Sequence, residues 1–315
     1  MNTHTPAVTV AITCFNSQLW IAETIRSVLR QTVNDWELVI VNHCSTDLTE
    51  EIIKEFKDPR IRYEYSHVRP LSSARNRTIE LARADYVACL DHDDLWEPQK
   101  LEVQMRLFEQ NPNLAMVYSD AFLIRADGER FSTYFDSCGY SPFRGRILEP
   151  LLEHGNFIPL LSVVVRKDVL KAAGGFDVAY RWAEDYDAWL RVAALHEVDF
   201  VAEPLGSHRR HESNSSDLEP HRNMYELLQL LEWGMAHKDV SADVRRKIRR
   251  RYLEYLKSYA QLLNSSGRTM ESVVAWSRVL ARDPRAVTDW LKSSAVFLRL
   301  NLIRKRLLGE RRARP

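Results

Sequence analysis

Four short β-rich runs alternate with helix-like segments over the first 90 residues, and this alternation restricts the chain to a small set of folds. The runs are Ala7–Cys14, Glu37–Val41, Ile61–Tyr65 and Tyr86–Leu90. Strands joined by helices of about ten residues form parallel βαβ units, and such sheets bind ligands beyond the carboxyl ends of their strands. The segments that follow the first, second and fourth strands are therefore predicted to meet at one crevice.

The pattern becomes mixed after about residue 125 and almost entirely helical after residue 217. Two further strands are predicted at Ala115–Ile124 and Pro159–Val165, and two helices at Lys167–Ala173 and Asp185–Leu195. The sequence therefore predicts an α/β fold with a Rossmann-like, mixed but mainly parallel sheet flanked by helices. We expect one domain over residues 1–217, in two halves at about 6–125 and 126–217, followed by a helical region over 218–315.

The run Leu90–Trp96 places Asp91, Asp93 and Asp94 directly after the fourth strand. Carboxylates this close repel one another and raise their pKa values unless a cation keeps them ionised. An Asp-x-Asp-Asp run in this position indicates a divalent metal ion, and the hard oxygen ligands favour Mg²⁺ or Mn²⁺, which also bind water and substrate phosphates. The alternative is a helix start at Leu95, capped by Asp93 or Asp94.

The composition narrows the class of protein. The 44 basic and 43 acidic residues nearly cancel, so no overall field attracts nucleic acid. Four scattered cysteines without a C-x-x-C pair are typical of reduced, buried thiols. The N-terminus lacks a signal-peptide pattern, and no window reaches about 18 uninterrupted apolar residues. We therefore expect a cytoplasmic protein.

Six motifs, in this order, resemble the family 2 inverting glycosyltransferases, which have the GT-A fold. They are Pro6–Asn16, Ile25–Thr32, Ser45–Asp47, Ala74–Asn76, Leu90–Trp96, and Gly174–Asp177 with Glu184–Trp189. The resemblance covers roughly residues 6–216. It implies that the first half of the domain binds the nucleoside diphosphate of a sugar donor and that the second half binds the acceptor.

The resemblance also implies functions for single side chains. Asp93, the second Asp of Asp-x-Asp, would hold the metal ion, and His211 or Arg210 would reach metal or phosphate from a segment, Ser207–Ser215, that resembles a loop closing over the donor. The alternative for this segment is a polar surface loop. The residues expected to contact the nucleotide are Thr13, Phe15, Asn16, Asn42, His43, Arg75, Asp91 and His92.

Arg75 lies near the start of a predicted helix, whose free N–H groups favour anions, so contact with nucleotide or diphosphate oxygens is expected. The alternative is a solvated arginine at the end of a helix.

The acidic pair Glu184-Asp185 precedes a predicted helix. The resemblance implies that Asp185 is the catalytic base, which deprotonates the acceptor hydroxyl, and a helix N-terminus is expected to lower its pKa. Attack from the face opposite the diphosphate would invert the anomeric configuration. The alternative is that both carboxylates only cap the helix.

The segment Asn42-His43-Cys44 departs from the family pattern, which usually has at least one Asp here for the pyrimidine base. The Asn42 amide can still pair with a base edge, and His43 can hydrogen-bond or stack. A UDP-sugar is the predicted donor, with thymidine or guanosine nucleotides as alternatives. The departure also leaves open an inactive relative that binds a nucleotide sugar and serves as an interaction module.

The end of the chain is strongly basic, with nine Lys or Arg against two acids over residues 285–315. Val296, Leu300, Ile303 and Leu307 fall on one face of a predicted helix. Such a helix can lie in an anionic membrane surface, which would place the protein peripherally at the inner face of the membrane beside a lipid-linked acceptor. The alternative is a helix packed on its own domain.

These features together predict a metal-dependent, inverting hexosyltransferase. It would move a sugar from a nucleoside-diphosphate sugar to a hydroxyl of a glycan or lipid-linked acceptor, in bacterial surface polysaccharide synthesis. A dehydrogenase is excluded because the sequence has neither G-x-G-x-x-G nor G-x-x-x-x-G-K-[ST]. No nucleic-acid partner is expected, and self-association through the helical region is left open.

Overall fold

A computed structural model describes residues 4–139, 141–211 and 219–293. The chain divides into two compact units, residues 1–218 and 219–315. The first unit contains a nine-stranded sheet, and the second is helical throughout its described residues.

The sheet is mixed and mainly parallel on the side of the N-terminal strands, as predicted. Its strand order is β3-β2-β1-β4-β8-β6-β9-β5, with β7 paired to β6. Strands β1 to β4 run parallel to one another, β8 is antiparallel to β4 and β6, and β9 is parallel to β6. The strands are β1 Val8–Cys14, β2 Trp36–His43, β3 Ile61–Ser66, β4 Tyr86–Asp91, β5 Leu95–Trp96, β6 Met116–Arg125, β7 Arg130–Thr133, β8 Val164–Arg166 and β9 Val198–Arg210.

Helices flank the sheet of the first unit and make up the second. In the first unit they are α1 Ile21–Leu29, α2 Thr49–Glu55, α3 Leu71–Leu81, α4 Lys100–Gln110, α5 Tyr134–Cys138, α6 Leu148–His154, α7 Lys167–Ala172 and α8 Glu184–Leu195. In the second unit they are α9 Pro220–Ala236, α10 Ala242–Ser265, α11 Thr269–Arg282 and α12 Val287–Ser293.

The core of the first unit lies around β1 and β2, in which every residue is buried. Strands buried on both faces read as continuous apolar runs, which is why these two were clear in the sequence. Helix α1 buries Ile21, Ile25 and Val28 against this core, since they share one face at helical spacing.

Three strands of the second half differ from the prediction, and one of them, β7, was not predicted. The predicted strand Pro159–Val165 is a 3₁₀ turn at Leu160–Ser162 followed by the short β8. Strand β9 was missed because Pro204 and Gly206 interrupt its pattern, and shifts of its register against β6 accommodate the interruption.

Three other expectations change with the structure. The stretch 207–210 belongs to β9 and is not a loop, and residues 212–218 lie outside the described residues. No helix starts at Leu95, because the chain forms β5 there and α4 begins at Lys100. Cys14 and Cys89 are buried as predicted, whereas Cys138 is exposed.

Helix α10 forms the centre of the second unit. It buries Ile248, Tyr252, Leu256 and Leu263, which are spaced by four, four and seven residues and so share one face, and it packs against α9 and α11. The predicted basic amphipathic segment is described only up to Ser293, so Val296, Leu300, Ile303 and Leu307 lie outside the described residues. Over the described part of the chain, no helix combines the length and the apolar character needed to cross a membrane.

Candidate active site

The carboxyl ends of β1, β2 and β4 lie side by side, as the βαβ pattern predicted. Thr13 near the end of β1 is in register with Asp91 of β4, and Cys14 is in register with Asn42 of β2. The segments that leave these strands therefore begin at one edge of the sheet, where a parallel sheet binds its ligands.

The acidic run is held in place by α1 and β9. Thr24 Oγ1 lies 2.8 Å from the carbonyl oxygen of His92 and 2.9 Å from that of Asp94. The Asp94 carboxylate is buried, where it accepts a hydrogen bond of 2.8 Å from the Arg209 N–H and contacts His208 Nδ1 at 3.2 Å. Asp94 therefore anchors the loop, and Asp93 is left as the carboxylate beside the crevice.

Asp93 and His211 form the pair that the sequence assigned to the metal. Asp93 Oδ2 lies 2.9 Å from His211 Nε2, and the His211 ring stacks on Trp20 at a centroid distance of 5.7 Å. Burial alone would raise the pKa of Asp93, but His92, His211 and His208 hold that pKa well below its usual range. The carboxylate is therefore ionised at neutral pH.

The donor set fits Mg²⁺ or Mn²⁺ with two protein ligands. Within the described ranges, no three His, Cys, Asp or Glu side chains are arranged to hold a metal ion. Mg²⁺ is commonly bound by one or two carboxylates and completes its coordination with water and substrate phosphates. One carboxylate and one imidazole in contact are consistent with that arrangement.

Arg75 is an internal bridge. It is buried, and its Nη2 lies 3.1 Å from Asp91 Oδ1 and 3.4 Å from Glu184 Oε1, so it ties β4 to the N-terminus of α8. This excludes the solvated arginine of the alternative interpretation. In the structure, Arg75 holds the carboxylates of Asp91 and Glu184 in place. Its contact with the nucleotide stays a prediction.

The acidic pair at the start of α8 is mostly removed from solvent. Asp185 Oδ2 accepts a hydrogen bond of 3.1 Å from Asn156 Nδ2. Burial raises the pKa of Asp185 and raises that of Glu184 to about 8, while the guanidinium of Arg75 acts against both shifts. The expectation that the helix N-terminus lowers the pKa of Asp185 was wrong, because loss of water outweighs the helix dipole.

The nucleotide-binding end of the crevice contains a stacked aromatic pair. The rings of Phe15 and His43 lie 5.6 Å apart, and Phe15 is 45% exposed. His43 Nδ1 lies 3.2 Å from the carbonyl oxygen of Arg69, and burial lowers the pKa of His43 to about 4. The imidazole is therefore neutral at pH 7.

Asn42 does not present its amide to the crevice. It is fully buried, and its Oδ1 accepts from the Ser45 N–H at 3.1 Å while its Nδ2 donates to Tyr63 Oη at 3.1 Å. The expectation that this amide pairs with a base edge is corrected, because the turn that follows β2 occupies it. Cys44 in this turn has φ +70°, the left-handed conformation that favours glycine.

The remaining predicted nucleotide contacts lie around this turn and the acidic run. Asn16, with φ +48°, accepts a hydrogen bond of 2.9 Å from the Thr46 N–H. Thr13 is buried, and His92 is partly buried in the acidic run.

Several side chains of the site were not identified from the sequence. Glu184 was seen only as the neighbour of Asp185, and Asn156 carried no signal. Arg210 was named as a phosphate contact, but the buried cation is Arg209, whose Nε donates to the Asp93 carbonyl oxygen at 2.9 Å. The alternation of inward and outward side chains along β9 identifies Arg209 as the buried arginine, but only once the strand itself is recognised.

Comparison with known proteins agrees with this geometry. The sequence profile of glycosyl transferase family 2 matches residues 9–151. An uncharacterized glycosyltransferase of Rickettsia typhi is 32% identical over 223 residues, which is 69% of this chain and 68% of the relative. WcaA of Escherichia coli, named for colanic acid biosynthesis, is 29% identical over 192 residues, covering 59% of this chain and 66% of its own length.

Two solved structures share the fold. TarS of S. aureus, in complex with UDP-GlcNAc, superposes with a TM-score of 0.64 at 17% identity, covering 87% of this chain and 79% of TarS. The mannosyltransferase PcManGT of Pyrobaculum calidifontis, in complex with GDP-Man and Mn²⁺, has a TM-score of 0.60 at 16% identity, covering 98% of this chain and 89% of its own. The architecture is therefore that of the GT-A glycosyltransferases. The chain belongs to glycosyl transferase family 2.

Proposed function

We propose that this glycosyltransferase moves a sugar from a UDP-sugar to a hydroxyl of a glycan or lipid-linked acceptor, with inversion at the anomeric carbon and with the help of Mn²⁺ or Mg²⁺. The observation that carries the proposal is the bridge Asp91–Arg75–Glu184. It joins the acidic loop, with its metal candidates, to the start of α8, where the base candidate Asp185 lies.

Asp93 and His211 would hold the metal ion, which would neutralise the charge that develops on the leaving diphosphate. The ionised state of Asp93 prepares this pair for a cation. Asp94, His208 and Arg209 would support the metal site indirectly, because they fix the loop that carries Asp93.

Asp185 is proposed as the base. The acceptor hydroxyl oxygen attacks the anomeric carbon, its proton passes to Asp185, and the bond from that carbon to the diphosphate oxygen breaks with its electron pair on the diphosphate. A general base is most effective when its pKa lies near the working pH, so a raised carboxylate pKa suits this function. Asn156 orients Asp185 through one oxygen. Attack opposite the leaving group gives the inverted anomer.

His43 is proposed to select the base. A carbonyl oxygen only accepts hydrogen bonds, so Nδ1 of the neutral ring must donate to Arg69, and Nε2 is left as an acceptor. A nucleobase edge that meets this acceptor must bring an N–H. The imide N3–H of uracil or thymine and the N1–H of guanine each supply one, so this acceptor is compatible with UDP, the proposed donor nucleotide, and equally with dTDP and GDP, which are the alternatives to be tested.

The acceptor and the place of action are proposed from the relatives. WcaA is named for colanic acid biosynthesis, which supports a bacterial surface polysaccharide as the product. We place the enzyme in the cytoplasm, peripherally at the inner face of the membrane through residues 285–315.

The proposal is tested by release of nucleotide from UDP-glucose, dTDP-glucose and GDP-mannose, with Mn²⁺ and then with chelator. We expect release from the UDP-sugar, dependent on metal and abolished in Asp93→Ala, while Asp58→Ala, a surface carboxylate paired with Arg60, behaves as wild type. Nucleotide binding without release from any donor, at several acceptors, would favour the inactive relative. No binding of any nucleotide by the folded protein would contradict a donor site altogether.

A further inference from the structure

A cavity of about 240 Å³ lies outside the crevice, between β5, the β6–β7 turn and the end of α1. Leu95 and Ile124 supply apolar walls, Ser207 supplies a hydroxyl-bearing wall, and Arg30 and Arg130 lie among its lining residues. Nothing in the proposed transfer reaction uses these side chains. The cavity is smaller than the roughly 300–1,000 Å³ of sites for drug-sized ligands, so it suits a single ring.

The cavity backs onto the candidate metal loop. Leu95 of β5 is paired with Ser207 of β9 in antiparallel register, and both line the cavity. Their neighbours Asp94 and His208 contact each other at 3.2 Å. Asp94 and His208 are thus the immediate chain neighbours of two residues that line the cavity, so the cavity lies beside the loop that carries Asp93.

Three charged side chains line the cavity, Arg30, Glu97 and Arg130, and only two of them pair with each other. Arg130 is ion-paired with Glu97 and lies 3.9 Å above the Phe122 ring. Arg30 is exposed and makes no ion pair with any residue in the described part of the chain. A guanidinium recognises carboxylate or phosphate with two parallel hydrogen bonds, so Arg30 is suited to an anionic group.

The rim leaves room for a ligand to enter. Gly128, which lines the cavity, has φ +89°, and a Cβ atom added there would meet nothing within 4 Å. An apolar wall suits the C–H face of a sugar ring, and the single cation suits one negative charge.

We propose that this cavity binds one anionic pyranose, a uronate or a sugar phosphate, with its charged group on Arg30 and its ring against Leu95 and Ile124. The carbohydrate class rests on the proposed function, whereas the cavity and its free cation do not. The ligand is either a residue of the acceptor glycan or a free sugar phosphate.

Calorimetric titration without nucleotide or metal tests this site. We expect saturable one-site binding of glucuronate or glucose 6-phosphate, none of glucose, and binding about tenfold or more weaker in Arg30→Gln, since a hydrogen bond to a charged group is lost. Arg249→Gln, an exposed arginine of α10 that does not line the cavity, is the matched control and should bind as wild type. Unchanged thermal midpoints of both variants show that the fold is kept.

The sources are separated by a third probe. Tighter binding of a uronate-ended oligosaccharide than of either single sugar identifies the acceptor glycan, and tighter binding of glucose 6-phosphate identifies the free sugar phosphate. Absence of saturable binding of all three, or equal affinity in Arg30→Gln, overturns the proposal. Since no donor is present, failure of the donor chemistry leaves this result unaffected.

Discussion

The loop after β4 and the start of α8 both carry adjacent carboxylates, yet the pKa of Asp93 in the loop is shifted in the opposite direction to that of Asp185 in the helix. Asp93 lies among His92, His208 and His211, which hold its pKa low in spite of burial. Asp185 and its neighbour Glu184 share one guanidinium, and burial raises both of their pKa values. Neighbouring imidazoles outweigh burial at Asp93 but not at Asp94, whose pKa is raised although it contacts His208, and Arg75 does not outweigh burial at Asp185.

This difference separates two functions within one crevice. A carboxylate that stays ionised attracts a metal ion, and a carboxylate whose pKa is raised accepts a proton more readily, as a general base must. Pairs of titratable groups with diverging pKa values are typical of acid–base chemistry. Arg75 touches both regions, through Asp91 and Glu184, and keeps them in one arrangement.

The largest expected effect comes from Asp185→Asn. Without a base, nucleotide release from the donor should fall by about 10²–10⁴-fold, while UDP binding with Mn²⁺ is unchanged. Asp58→Asn, at a surface carboxylate paired with Arg60, is the control and should keep wild-type turnover. Equal turnover in both variants would remove Asp185 from the mechanism.

Removal of the bridge is expected to cost stability. Arg75→Gln leaves the buried Glu184 and the partly buried Asp91 without their cation. At pH 9, where Glu184 with its pKa of about 8 is ionised, this should lower the free energy of unfolding by about 3–5 kcal/mol, measured by urea denaturation. The double variant Arg75→Gln/Glu184→Gln should recover part of this loss, because no unpaired carboxylate stays buried in α8. A double variant as unstable as Arg75→Gln alone would show that Glu184 is not the partner that matters.

A smaller effect on binding is expected at the nucleotide-binding end of the crevice, where the neutral imidazole of His43 stacks on Phe15. His43→Ala should weaken UDP binding by about tenfold, from loss of stacking and of the Nε2 acceptor. His67→Ala, an exposed histidine that contacts the Tyr65 ring edge, is the control. Calorimetry measures the UDP affinity of both variants. Equal affinities would show that His43 does not select the nucleobase.

The last prediction extends the comparison to Lys100, a buried cation whose described contacts are uncharged. Lys100 Nζ donates to Gln104 Oε1 at 2.5 Å and lies 4.2 Å from the Trp96 ring centroid, and burial lowers the pKa of Lys100 to about 7. Between pH 7 and 10 the unfolded chain holds a proton that the folded chain lacks, so stability should rise with pH by up to about 1.4 kcal/mol per unit.

Below pH 7 both states of Lys100 are protonated, and its contribution to the pH dependence ends. Urea unfolding at several pH values measures the slope. It should flatten in Lys100→Met and persist in Lys57→Met, whose lysine is exposed. A slope that survives in Lys100→Met would assign it to other groups.

Much of the fold was predictable, because strands buried on both faces and helices with one apolar face leave strong patterns. The first four strands and the position of the acidic run after β4 follow directly from them. Strand β9 was not predictable by pattern, since Pro204 and Gly206 interrupt it and its register shifts.

The sequence identified most candidate residues of the site, but it did not predict which of them contact one another. Arg75 meets Glu184 across 109 positions of the chain, and Asn42 meets Tyr63 of the neighbouring strand, so neither contact leaves a local signal. Burial likewise has no local signature, which is why the pKa of Asp185 shifts opposite to the expectation from its helix.

The division of function between the two acidic regions is tested most directly by calorimetric titration of UDP, with and without Mn²⁺, into wild type, Asp93→Asn and Asp185→Asn. The account predicts that Mn²⁺ strengthens UDP binding in wild type and in Asp185→Asn but not in Asp93→Asn. Metal-dependent binding that persists in Asp93→Asn, or is lost in Asp185→Asn, would contradict it.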